Sequence, residues 1–301
     1  MFKTIVVGVD GREGGRDALS LAARLALLAG GELVAVRVLP FDYYASRAGS
    51  PPYASIAEPD AKRELAAELE QAGVTARAHV IGDTSPARAL HRVAEQEHAD
   101  VIVVGSTHHG IAGRVFAGDD AVGALHGSPC AVAVAPRGLA SREWAPVQRI
   151  GVGYDGAPEA GQAFALAIAL ARDCGASIRV RSVVTPPVPY ADFTPYDDDW
   201  TDRALAVAKV ELAELVADVA VETVTEATVG TPVSELVALS ADVDLLVLGS
   251  RAWGPVRRIV LGSAAACLTR ESHCPMLVLP RGAATGQPGE GEPRGLQMTV
   301  A

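Results

Sequence analysis

The chain repeats itself. Asp100-Val101-Ile102-Val103-Val104-Gly105-Ser106 returns as Asp244-Leu245-Leu246-Val247-Leu248-Gly249-Ser250, and Pro136-Arg137-Gly138 returns as Pro280-Arg281-Gly282, both 144 residues further on. Val9-Asp10-Gly11 returns as Tyr154-Asp155-Gly156 at a spacing of 145. So constant a spacing marks a duplicated unit with almost no insertions. With 301 residues, each copy has enough chain to bury its own core. The repeat predicts two domains, 1–138 and 145–282, linked by residues 139–147. Residues 283–301, rich in Gly, Pro and Thr without periodicity, are expected to form a disordered tail.

Within each copy, short Val/Ile runs alternate with longer Ala/Leu stretches, the pattern of βα units around a buried parallel sheet. Strands are predicted near 3–9, 32–39, 74–81, 100–104 and 130–135, with helices near 14–29, 58–72, 85–97 and 119–126. The second copy places strands near 148–154, 177–184, 219–228, 243–248 and 275–280, and helices near 158–173, 199–217, 232–241 and 263–271. The fold class is therefore α/β, with two tandem doubly wound five-stranded parallel sheets of Rossmann-like type. Ser85-Pro86 and Thr231-Pro232 each put a capping hydroxyl before a Pro at the first helical position. Residues 41–57 and 185–199 read as long surface loops.

Composition narrows the function classes. A formal charge of −10 without any Lys/Arg cluster repels polyanions, so nucleic acid is not an expected partner. No apolar run has the length of a membrane span, and Met1 leads directly into the first strand pattern without a signal-type segment, so a cytoplasmic location away from membranes is expected. Cys130, Cys174, Cys267 and Cys274 lack CxxC spacing and read as buried free thiols, with Cys130 and Cys274 opening the last strand of each copy. His108, His109, His126 and His273 fit no ligand spacing, so no metal site is expected. Gly151-Val152-Gly153-Tyr154-Asp155-Gly156 matches GxGxxG, but two of its glycines fall inside a strand and no acidic residue closes the second strand. There is no GxxxxGK[ST].

In open parallel sheets, ligands bind beyond the carboxyl ends of the strands, where the strand order reverses. After the fourth strand of the second copy come Gly249, Ala252, Gly262 and Ser263, the last opening a helix whose free N–H groups suit a phosphate. This spacing of Gly, two residues, Gly, nine residues, then Gly and Ser/Thr resembles the universal stress protein family, over about 280 of the 301 residues. The resemblance implies the adenine nucleotide alpha-hydrolase-like fold and binding of ATP, with or without Mg2+. It also implies that the first-strand Asp and a Val ending the second strand hold the adenosine. By position these are Asp155, Val183, Gly249, Ala252, Gly262 and Ser263 in the second copy, and Asp10, Val38, Gly105, His108, Gly118 and Asp119 in the first. It further implies pairing through the last strand, here Cys130 to Ala135 with Pro275 to Leu279 as a pseudo-dimer within one chain, and leaves room for a homodimer.

The copies depart unequally from the pattern. Ala252 replaces a Gly, which costs roughly 1–2 kcal/mol if φ must be positive. In the first copy His108 replaces the middle Gly and Asp119 the closing Ser/Thr. A carboxylate about 5 Å from a phosphate opposes it by roughly 3 kcal/mol at an effective dielectric near 20, about a hundredfold in affinity. The second copy is thus the expected ATP site. No Ser/His/Asp or Cys/His set can be assembled, so binding rather than catalysis is expected. Three readings follow: a nucleotide-sensing stress-response protein acting on an unknown protein partner, a nucleotide-free interaction module, and a slow ATPase.

Overall fold

The computed structural model describes residues 2–40, 53–106, 114–115, 119–143, 145–186, 199–250, 259 and 263–280. The first half runs β1 (Thr4–Gly8), α1 (Glu13–Ala29), β2 (Glu32–Pro40), α2 (Tyr53–Gln71), β3 (Arg77–Asp83), α3 (Pro86–Gln96), β4 (Val101–Gly105), α4 (Asp119–Leu125) and β5 (Ala131–Ala135). A short 3-10 turn, Leu139–Ser141, leads into the second half. That half runs β6 (Arg149–Gly153), α5 (Pro158–Cys174), β7 (Ser177–Val184), α6 (Trp200–Val216), β8 (Thr223–Val229), α7 (Pro232–Ala241), β9 (Leu245–Gly249), α8 (Ser263–Glu271) and β10 (Met276–Leu279).

The strands form one ten-stranded sheet in the order β3-β2-β1-β4-β5-β10-β9-β6-β7-β8. Each half supplies five parallel strands, and the order reverses between β1 and β4 and again between β6 and β9. The halves meet at β5 and β10, which pair antiparallel with Met276 opposite Val134, Leu277 opposite Ala133 and Val278 opposite Val132. The two sheets read from the sequence are therefore the two wings of one. Helices cover both faces: α1, α2, α5 and α6 pack on one core cluster, α3, α4, α7 and α8 on the other, and each cluster takes residues from both halves. Burial on both faces is why the strand runs are continuously apolar, with Ile5, Val6 and Val7 all fully buried.

The outer strands start later than the sequence pattern suggests, at Arg77 rather than 74 and at Thr223 rather than 219. Val74 misled the reading because it is apolar and packs on the core, yet its N–H donates to Leu69 O (2.9 Å) and closes the C-terminus of α2. Val219 does the same for α6 through Val216 O (3.1 Å). The helix α2 also begins at Tyr53, not 58, and carries Pro59 inside it. Both cap predictions hold: Ser85 Oγ accepts from Arg88 N (3.4 Å) and Thr231 Oγ1 from Ser234 N (3.3 Å). The segment from 283 to 301 lies outside the described residues.

The link between the halves is anchored by a residue the sequence does not single out. Asp17 in α1 is fully buried, its Oδ2 accepting from Gly138 N and its Oδ1 from Ala140 N, each at 2.8 Å. Burial raises its pKa against the lowering effect of those two N–H groups. Arg137 adds an ion pair to Glu13 at 3.2 Å. Of the cysteines, Cys130 and Cys274 are buried free thiols whose pKa burial pushes up to about 12. Cys174 is half-buried and Cys267 exposed, which corrects the expectation of four buried thiols: Cys267 lies on the outer face of the short α8. No helix among the described residues is long and apolar enough to cross a membrane.

Candidate functional site

The first strand of each half ends in the same turn. Asp155 Oδ1 accepts from Ala157 N (3.1 Å) and Asp10 Oδ1 from Arg12 N (3.0 Å), while Gly156 and Gly11 take φ near +77° and +79°. A left-handed residue directly after the Asp lets the carboxylate fold back on the chain, and glycine takes that conformation without steric cost. Both Asp side chains remain exposed at the mouth of the strand-order reversal.

In the second half a cavity of about 420 Å³ opens beyond the carboxyl ends of β6, β7 and β9. That volume suits a small organic ligand. Asp155, Val183 and Gly249, taken from the sequence, all line it, and so do Glu159, Arg181 and Ser250, which the sequence did not flag. Ala252 and Gly262 lie outside the described residues, and Ser263 is the first residue of α8. In the first half Asp10, Val38 and Gly105 hold the matching backbone positions, Asp119 opens α4, and His108 and Gly118 lie outside the described residues.

Gly249 has a reason to be glycine that needs no ligand. A Cβ there would lie 2.5 Å from Glu159 O and 2.6 Å from its carbonyl carbon, because the first turn of α5 crosses directly over the end of β9. Gly105 is tighter still, with Gly14 O only 1.9 Å from such a Cβ. The first glycine of the motif is fixed in both halves by helix-on-strand packing, which explains its presence even where the rest of the motif has degenerated.

Three differences separate the halves as sites. In the first half Ser106 Oγ donates to Ala135 O at 2.6 Å. Its counterpart Ser250 is equally buried, but Ser250 Oγ has no hydrogen-bond partner among the described residues and lines the cavity. A buried hydroxyl left unpaired costs about 1–3 kcal/mol, so this atom is poised for a polar group of a ligand. Second, β7 carries Arg181 opposite Gly153, where β2 carries the buried Val36 opposite Gly8. Arg181 pairs with Glu226 (2.5 Å) and its Nη1 donates to Glu235 O (2.8 Å), so a largely buried guanidinium forms one wall of the cavity. Third, the buried Glu159 in the first turn of α5 faces the cavity where the first half has Gly14.

At the corresponding end of the first half, Asp83 closes β3 instead. Burial opposes its charge, but hydrogen bonds from Arg88 and Ser85 N and the charges of Arg88 and Arg92 outweigh it and hold its pKa below the usual value. Among the described residues no three His, Cys, Asp or Glu side chains gather as a metal site. His126 is exposed, and His273 is half-buried, its backbone N–H donating to Ser240 Oγ (3.0 Å).

The family model described as the universal stress protein family matches the chain twice, over residues 1–136 and 146–280. A universal stress protein of Mycobacterium tuberculosis is 28% identical over 303 residues, covering 92% of this chain and 99% of the relative. Among solved structures, a universal stress protein of Archaeoglobus fulgidus covers 93% of this chain and 98% of its own at a TM-score of 0.60 and 19% identity. One described as a putative universal stress protein of Pseudomonas aeruginosa covers 92% and 93% at a TM-score of 0.63 and 15% identity, so both speak to the fold.

Proposed function

Because the chain belongs to the universal stress protein family, matched in both halves, we propose that it binds an adenine nucleotide, ATP foremost, in the cavity of the second half and acts as a stress-response sensor or regulator. On this reading residues 1–138 and 145–282 are two domains of one fold, of which the first has kept the scaffold and lost the site. The observation that carries the proposal is Ser250: its buried hydroxyl has no partner among the described residues inside a cavity of nucleotide dimensions, while Ser106 in the other half is satisfied by the backbone.

The roles follow from the chemistry of the lining. The Asp155 and Glu159 carboxylates can only accept hydrogen bonds when ionised, which suits ribose hydroxyls. Val183 offers an apolar wall to the base, and the N-terminus of α8 at Ser263 offers unpaired N–H groups and a positive dipole end to phosphates. The two carboxylates disfavour bare phosphates, so the nucleotide fits best as its magnesium complex. When bound, the ion would offset the negative charge of the phosphates. On this reading the site is one for binding first.

Nucleotide released from freshly purified protein and identified by mass spectrometry tests this. Adenine nucleotide is expected in the wild type and is expected to vanish on Ser263→Asp, which sets a carboxylate at the phosphate end. Protein that carries none, and that shows no binding at millimolar ATP, would replace this reading with that of a nucleotide-free interaction module.

A further inference from the structure

A described residue in each of the connections after β4 and β9 bonds to the other half. Ile259, in the connection from Gly249 to Ser263, donates its N–H to Ser128 O of the first half (3.2 Å), and its carbonyl accepts from Gly127 N (2.9 Å). Its side chain is fully buried in the cluster that both halves share. The reciprocal contact also exists: Val115, in the connection after β4 and likewise fully buried, donates its N–H to Ser272 O (2.7 Å). Each connection is thus stitched to the turn that precedes the last strand of the other half.

The stitching is unequal, and one residue accounts for it. The helix α4 stops at Leu125, and Gly127 then takes φ +78°, where the matching α8 runs on to Glu271. Ending the helix early releases the Gly127 N–H from the helical ladder and lets it meet Ile259 O. Glu271, the counterpart of Gly127, is still helical. Ile259 is therefore held at both its N–H and its carbonyl, while one such bond is described at Val115. The half with the degenerate phosphate motif supplies the firmer clamp, and it supplies it to the better-preserved motif.

From this we infer that Gly127 and Ser128 of the first half are positioning residues for Ile259 and, through it, for the entry into α8, whose Ala264, Ala265 and Leu268 line the cavity of the second half. The inference rests on the nucleotide reading above. Ordering a backbone costs about 1–2 kcal/mol per residue, and a backbone already fixed at Ile259, four residues before Ser263 opens α8, bears part of that cost before any ligand arrives. The first half thereby remains necessary to a site whose described lining comes from the second.

The test uses the full chain with Gly127→Val, a β-branched residue at a left-handed position, and the milder Gly127→Ala beside it. Hydrogen exchange of the ligand-free protein is expected to show the amide of Ile259 losing protection about tenfold in Gly127→Val, with β6, β7 and β9 unchanged. ATP affinity is expected to fall about tenfold in the same variant and less in Gly127→Ala. Unchanged exchange at Ile259 overturns the clamp. Lost protection with unchanged ATP affinity overturns its role in binding. A wild type that does not bind ATP defeats the nucleotide reading instead, and the exchange result still decides whether the clamp exists.

Discussion

Replacing Gly105 with alanine is expected to cost about 3 kcal/mol and to lower the unfolding midpoint by roughly 6 °C. The added Cβ would lie 1.9 Å from Gly14 O, 2.5 Å from its carbonyl carbon and 2.9 Å from its Cα, all backbone atoms that cannot swing aside. Relief requires α1 to lift from the end of β4, loosening a helix whose Leu19, Leu21 and Leu25 are buried in the core. Gly249→Ala, against Glu159 O at 2.5 Å, should fall in the same range. Thermal melts followed by circular dichroism measure both. A Gly105→Ala midpoint within a degree of the wild type would show that the crossing of α1 over β4 is not as close as described.

Leu277→Asp should be more severe, a loss of about 4 kcal/mol or more. Leu277 is fully buried at the centre of the junction, opposite Ala133, and belongs to a cluster that includes Leu25 and Val103 from one half and Leu170 and Val247 from the other. An ionised carboxylate there has no cation to pair with and cannot reach water without separating β5 from β10. Leu277→Met, which nearly conserves volume, should cost under about 1.5 kcal/mol. Urea unfolding gives the comparison. An aspartate variant as stable as the methionine one would mean that the two wings do not share a core.

These two positions also show what the sequence made legible. The repeat spacing gave the duplicated fold, since Gly105 and Gly249 stand at equal places after equal strands, and the apolar runs announced strands covered on both faces. The sequence could suggest that the last strands pair, but whether two sheets merge into one is decided by contacts between Val132–Val134 and Met276–Val278, which no local pattern encodes. Val74 and Val219 were misplaced because an apolar residue closing a helix looks like one opening a strand. Asp17 was invisible for a similar reason: its partners, Gly138 and Ala140, lie more than a hundred residues away and offer backbone rather than side chains.

The candidate site was legible in part. Asp155, Val183 and Gly249 follow from the motif, and they do line one cavity. The motif cannot say that its first glycine is also demanded by packing, nor that Ser250 and Ser106, each following the Gly that ends its strand, differ in whether the hydroxyl is satisfied. Glu159 and Arg181 were missed because each belongs to an element read only for its helical or strand periodicity.

The central claim is that one half of a duplicated scaffold holds the ligand. Calorimetric titration of the full chain with MgATP tests it most directly. The account predicts one site per chain, weakened about tenfold or more by Asp155→Ala and untouched by Asp10→Ala. Two equivalent sites per chain, or a site lost with Asp10→Ala and kept with Asp155→Ala, would contradict it.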